Sequence, residues 1–174
     1  MQLVLAGDFA VVREKYIEVI EHTRDMNIHA RWIYGQHPTD AMIQSYIDGQ
    51  EMYLFMDGQN VVGMTAITMY QGEDYHEVIW SQNLKDDEVA SLHIFTVTPE
   101  YQGKGVSKRM MAEIISLAMK KRKKSIRLDT LASNIPAQHM YEKLGFEYRG
   151  KQNLFAENTE WTDFLYYELR LEDK

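Results

Sequence analysis

The chain has 174 residues, 45% of them hydrophobic and 26% charged, with a net charge of −7. That length allows a substantial buried core in one domain over residues 1–174, and the composition is ordinary for a globular protein. The negative balance argues against nucleic-acid binding and favours a cationic substrate, while the absence of cysteine excludes disulfides, thiolate metal sites and a cysteine nucleophile. No apolar run approaches a membrane span, and Met1 to Asp8 lacks a secretory pattern, so the expected compartment is the cytoplasm, with no membrane partner.

Residues 2–6 read as a short strand. From Asp8 to Asn27, Phe9, Val12, Tyr16, Val19, Ile20 and Thr23 recur at helical spacing, with Asp8 as N-cap. Residues 28–39 hold Trp32, Tyr34, His37 and Pro38 without periodicity and read as a loop or broken helix. Asp40 to Asp48 is a short helix stopped at Gly49, with Met42, Ile43, Tyr46 and Ile47 on one side. Two strand-like runs, 51–56 and 60–70, meet at Asp57-Gly58-Gln59, a hairpin signal. The polar stretch 71–87 is interrupted by Glu77-Val78-Ile79-Trp80, read as a short additional strand. Residues 89–97 are nearly all apolar apart from Ser91 and His93, which marks a central strand.

The most informative stretch follows: Thr98-Pro99-Glu100-Tyr101-Gln102-Gly103-Lys104-Gly105-Val106-Ser107. It leads from that strand, through two glycines, into a helix over 106–121 whose apolar face is Val106, Met110, Met111, Ile114, Ile115 and Ala118. The first N–H groups of a helix lack partners and sit at the positive end of the macrodipole, so a strand–glycine–helix turn binds anions, phosphate above all. The basic run Lys120 to Lys124 reads as a solvated helix end, the alternative being a phosphate or acidic-partner contact. Ile126 to Leu131 is a strand. Pro136 opens a helix that ends at Gly145, and 146–155 and 163–171 are the last strands, joined by a polar loop. The sum is a mixed α/β sheet in one domain.

Two phosphate-binding motifs fail here. Nothing matches the G-x-x-x-x-G-K-[S/T] loop, and the third glycine of G-x-G-x-x-G is replaced by Lys108. Gln102-Gly103-Lys104-Gly105-Val106-Ser107 instead resembles motif A of the GNAT superfamily of N-acetyltransferases, Q/R-x-x-G-x-G/A, with Ser107 where glycine or alanine is preferred. A second match lies downstream, in Leu128-Asp129-Thr130-Leu131-Ala132-Ser133-Asn134, Ala137 and Tyr141-Glu142-Lys143-Leu144-Gly145-Phe146. Order and spacing are those of the family, and the resemblance covers most of the chain beyond residue 50.

The resemblance implies a mostly antiparallel, twisted mixed sheet of about six to seven strands flanked by helices. It implies acetyl-CoA as co-substrate and acetyl transfer to a primary amine of a small molecule or peptide. The N–H groups of Gly103, Gly105 and Ser107 would take the pyrophosphate, with Gln102, Lys104 and Val106 in the same cradle. Lys104 reads equally well as an exposed lysine. Backbone groups near Phe95 and Val97 would pair with the pantetheine arm, one N–H polarising the thioester oxygen, and Asn134 would contact the same arm. Family analogy also points to dimerisation through the last strands.

Tyr141 is the expected general acid, since a phenol stays protonated at neutral pH and the departing thiolate needs a donor. Its spacing from Ala137 and Leu144 also suits a core aromatic. His93, with Ser91, Phe95 and Val97 as its alternation partners, is the expected base; Glu73, Asp74, Glu77 or water are alternatives, and a buried core histidine is the plain reading. No metal is expected: the six histidines are scattered, and His76 to Trp80 fails H-E-x-x-H. With no G-x-S-x-G element and no cysteine, direct transfer in a ternary complex is favoured over an acyl-enzyme. Trp32, Tyr34, His37, Tyr70, Tyr75 and Trp80, beside Glu73, Asp74 and Glu77, suit a cationic amine. The rivals are a non-catalytic acyl-CoA-binding module and a nucleotide-binding domain.

Overall fold

The computed structural model describes residues 1–171. Its N-terminal half comprises β1 (Gln2–Leu5), α1 (Phe9–His22), α2 (Asp40–Asp48), β2 (Met52–Asp57) and β3 (Asn60–Thr68). The remainder is β4 (Val89–Val97), α3 (Val106–Lys120), β5 (Ser125–Leu131), α4 (Ile135–Lys143), β6 (Glu147–Ala156) and β7 (Glu160–Arg170). All seven strands join one sheet in the order β1-β2-β3-β4-β5-β7-β6. Every pair is antiparallel except β4 with β5, which the crossover through α3 makes parallel. No helix among the described residues is long and apolar enough to cross a membrane.

The local signals act largely as expected. Asp8 Oδ1 accepts from the N–H groups of Ala10 and Val11 at 2.9 and 3.3 Å, and Thr39 Oγ1 caps α2 by accepting from Met42 at 3.1 Å. Two expectations are corrected. The first helix stops at His22 rather than near Asn27, and just beyond it Asp25 enters the left-handed region at φ 57°. Glu77 to Trp80 forms no strand. Tyr75 and Val78 are drawn into a small core with Tyr166, and Trp80 Nε1 donates back to the carbonyl of Tyr75 at 2.9 Å, which closes the segment into turns.

The sheet separates two cores. On one face α3 and α4 cover Leu92, Ile126, Leu128, Tyr167 and Leu169. On the other, α1 and α2 cover Met52, Met64, Ala66 and Ile94. Close approach of α3 explains Gly63, where a Cβ would lie 2.8 Å from Met110 Sδ and 3.0 Å from the Thr96 carbonyl oxygen.

The second face also carries a buried charge network. Arg127 pairs with Glu168 at 3.0 Å, both side chains essentially inaccessible, and Arg149 Nε reaches the same carboxylate at 3.0 Å. Arg127 also donates to Gln71 Oε1 at 2.6 Å and to the Gln82 carbonyl at 3.0 Å, and its guanidinium lies 4.4 Å from the Trp80 ring centre. Burial alone would raise the Glu168 carboxyl, but donation from Ser81 and the Arg127 charge outweigh it and hold it below the usual range. These contacts pin the β3–β4 connection to the sheet.

A bulge interrupts β3–β4. Met64 pairs with Thr96 and Ala66 with His93, so Ile94 and Phe95 together oppose Thr65. Ile94 takes a left-handed conformation, φ 42°, unusual for a β-branched residue. Two side chains hold it. Thr65 Oγ1 donates to the His93 carbonyl at 3.0 Å, and the fully buried Tyr16 donates its O–H to the Ile94 carbonyl at 2.8 Å. Tyr16→Phe strands that carbonyl, and we expect urea denaturation to show a loss of about 1–3 kcal/mol. A loss below about 0.5 kcal/mol, the range of neutral surface changes, would mean that the bond does not hold the bulge.

Candidate active site

The parallel ladder between β4 and β5 ends at Leu92 paired with Leu128. β4 continues to Val97 and β5 to Leu131 with no further pairing between them, so the two strands fork. Backbone groups facing that gap therefore have no ladder partner across it among the described residues. A cavity of about 670 Å³ fills the fork, reaching from Gly103 and Gly105 at one end to Trp32, His37 and Tyr46 at the other.

At the first end, Gly103 and Gly105 have φ of 73° and 75°, a conformation that disfavours any residue with a Cβ. A Cβ at either would meet nothing within 4 Å, so the space beside them is open. Gly105 is the N-cap of α3 and contributes no side-chain cap. The first amides of the helix therefore have no acceptor within it, and Val106 and Ser107 line the cavity. Gln102 also lines it, but its carboxamide is engaged, donating to Thr23 Oγ1 at 2.9 Å and to the Val97 carbonyl at 3.0 Å. Lys104 is not among the lining residues; its ammonium sits 5.6 Å from the Tyr101 ring centre. Asn134 lines the wall and caps α4, its Oδ1 accepting from Ala137 N–H at 3.4 Å.

The bulge at Ile94 decides which side chains face which side. His93 stacks on Tyr46, ring centres 5.7 Å apart, and lies 6.5 Å from Tyr75. Phe95 packs edge-on against Tyr141 at 6.3 Å, in the core beneath α3 and α4. Phe95 and Val97 are thus not on the His93 face, as simple alternation predicts; the extra residue of the bulge moves them to the other one. Tyr141 and His93 consequently approach the cavity from opposite faces of the sheet. Burial, reinforced by the negative charge of Asp129, pushes the Tyr141 phenol well above its usual value. Burial lowers the His93 imidazole, opposed by the charge of Asp74. His37 is lowered for the same reason, with Asp129 opposing.

Of the aromatic residues singled out earlier, Trp32 and His37 line the cavity and Tyr75 stands behind it. Tyr34 points to Asp40 and Arg13 instead, Tyr70 is half exposed, and Trp80 covers Arg127. Glu73, Asp74 and Glu77 are exposed and line no part of the cavity. The carboxylate that does line it is Asp129, which accepts from Tyr75 O–H at 2.7 Å. Sequence reasoning gave Asp129 no role. The available signal was a second charged residue two positions after Arg127 in a buried strand.

Residues 18–146 match the model of the acetyltransferase (GNAT) family. An N-acetylaspartate synthetase of Xenopus tropicalis is 33% identical over 73 residues, 42% of this chain and 27% of its own length. The chain thus spans little more than a quarter of that relative. Two solved structures extend the likeness over nearly the whole fold. A GNAT-family acetyltransferase of Streptococcus agalactiae superposes with a TM-score of 0.74 at 18% identity, covering 97% of this chain and 94% of that one. An acetyltransferase of Salmonella typhimurium, solved with its cofactor acetyl-CoA, gives 0.69 at 17% identity, covering 98% and 94%. With the family model matching well over half its length, and with the forked strands, glycine turn and crossover helix described above, the chain belongs to the GNAT acetyltransferase family.

Proposed function

We propose that the chain is an acetyl-CoA-dependent N-acetyltransferase that acts on a primary amine of a small molecule or peptide, with both substrates bound together. The observation that carries this reading is the fork itself, a gap through the sheet with an anion cradle at one end and titratable groups on its two faces. The residues fit acetyl-CoA: open space beside Gly103 and Gly105 accommodates a pyrophosphate that a Cβ would obstruct. The amides of Gly103, Gly105 and Ser107 are its donors, and Asn134 and the backbone edge near Phe95 and Val97 flank the pantetheine arm. When bound, acetyl-CoA supplies an acetyl group activated as a thioester.

The rest of the chemistry falls to the protein. His93, kept neutral by burial, accepts the proton that an attacking amine must lose. A backbone N–H of β4 turned into the fork polarises the carbonyl oxygen. Tyr141 donates its O–H toward the departing sulfur as negative charge grows there. Its raised pKa makes it a hydrogen-bond donor that does not ionise in the resting enzyme. The open route through the sheet lets the amine approach from the His93 side while sulfur leaves toward Tyr141. No acyl-enzyme is then required.

Three outcomes test this reading. Tyr141→Phe should lower kcat by about a hundredfold or more, with acetyl-CoA affinity by calorimetry nearly unchanged; undiminished turnover removes Tyr141 as the donor. Gly105→Val puts a branched side chain at positive φ and into the cradle, and should weaken CoA binding at least tenfold or so; normal affinity contradicts the cradle. The kcat/KM profile should lose activity as pH falls, because protonated His93 cannot accept a proton. Since burial lowers its pKa, that acid limb should lie below about pH 6.5, and His93→Gln should abolish it. An unchanged limb in that variant assigns the base elsewhere. CoA binding with no turnover on any amine would favour the non-catalytic module.

A further inference from the structure

The far end of the cavity has a chemical character of its own. In the ladder, Ser91 pairs with Arg127 and Leu92 with Leu128, so the next two residues, His93 and Asp129, stand abreast where the strands part. They share a face, as Tyr75 confirms by touching both, its ring near His93 and its hydroxyl on Asp129. Asp129 is the one carboxylate lining the cavity among the described residues. The same lining includes the rings of Trp32, His37, Tyr46, His93 and Phe164, together with Met26 and Met42.

Two connections meet beside the cavity, the α1–α2 segment and the β6–β7 turn, and both are fastened. His29 and Ser133 bond twice, Nδ1 to the Ser133 carbonyl at 3.2 Å and Ser133 Oγ to the His29 carbonyl at 2.8 Å. Arg31 donates to the Thr159 carbonyl at 3.2 Å, and Asn158 donates back to the Arg31 carbonyl at 2.8 Å. His29, Asn158 and Thr159 themselves line the cavity, so these bonds form part of its wall. An extended polypeptide entering between these two connections would have to part those bonds.

We infer that the acceptor is a compact cationic amine with a flat apolar body, and that Asp129, oriented by Tyr75, receives its ammonium group. The inference rests on the acetyl-transfer reading above and narrows its acceptor. The rings enclose an apolar body and present their faces to a cation. The Tyr75 hydroxyl donates to Asp129 Oδ1 and orients the carboxylate, whose remaining lone pairs can accept an ammonium. Burial raises the Asp129 carboxyl while the Tyr75 bond opposes that rise, and a bound ammonium adds to the opposition. The docked ammonium gives up one proton to solvent before it attacks; His93, on the same face of the fork, takes the second as the C–N bond forms, and Tyr141 supplies the one that the departing sulfur gains.

The test uses CoA release from acetyl-CoA with phenylethylamine and with a short lysine-free peptide bearing a free N-terminus. The quaternary ammonium analogue of phenylethylamine, which cannot be acetylated, and its neutral tert-butyl isostere serve as inhibitors. The wild type should turn over phenylethylamine at least about tenfold more efficiently than the peptide, and the quaternary cation should compete with the amine while the isostere does not. Asp129→Asn should raise KM about tenfold or more, as loss of a charge-assisted bond implies, with kcat changed far less. It should also abolish inhibition by the cation while leaving acetyl-CoA affinity intact. Tyr75→Phe should act in the same direction, more weakly. Equal turnover of peptide and amine, equal inhibition by cation and isostere, or a fall in kcat alone would each overturn the inference while leaving acetyl transfer standing. CoA release with neither acceptor would overturn the acetyl-transfer reading and this inference with it.

Discussion

The architecture depends on one broken ladder. Parallel pairing between β4 and β5 stops at Leu92 and Leu128, although both strands continue. Unpaired backbone inside a protein is costly unless something satisfies it, so a fork at the centre of a sheet needs both a cause and an occupant. The cause lies in the flanking packing. Ile94 is held in a left-handed bulge by Tyr16 from α1 and by the adjoining Thr65 bond, and this bends β4 away from its neighbour. The occupant proposed above is an extended arm that bonds along both edges and ends in an anionic group at the glycine turn.

The bulge also sorts the chemistry. Without it, His93, Phe95 and Val97 would share a face. With it, His93 joins Tyr46, Tyr75 and Asp129 on the α2 side, while Phe95 joins Tyr141 beneath α4. One extra residue therefore puts His93 and Tyr141 on opposite faces of the sheet. The Arg127–Glu168–Arg149 network sets the position of the β3–β4 connection, and with it the Tyr75 hydroxyl on Asp129. Breaking one partner of so buried a pair leaves an uncompensated charge, a loss of about 3–5 kcal/mol, so this support is rigid.

Local signals in the chain act locally, and those features were legible. Asp8, Thr39 and Pro136 start helices, Asp57-Gly58 turns a hairpin, and Gly103 and Gly105 mark the turn into α3 because only glycine readily takes their φ. Features set by contacts between distant residues were not. The bulge depends on Tyr16, which lies 78 positions from the carbonyl it bonds, and no alternation rule anticipates it. Glu77 to Trp80 has strand composition, yet Tyr75, Val78 and Tyr166 draw it into turns. Asp129 sits in a strand that also carries Ser125, Arg127 and Thr130, and its partner Tyr75 is 54 positions away. Glu73, Asp74 and Glu77, the acidic residues beside the aromatic run in the sequence, lie on the surface instead.

The central claim is that the fork between β4 and β5 is the seat of acetyl-CoA, with Tyr141 and His93 on its opposite sides. A crystal structure of the protein with CoA bound tests it most directly. The expected density has a pyrophosphate on the amides of Gly103 to Ser107, a pantetheine arm running through the fork, and the sulfur within hydrogen-bond reach of the Tyr141 hydroxyl. An arm lying outside the fork, or a sulfur on the His93 side with Tyr141 remote from it, would refute this placement.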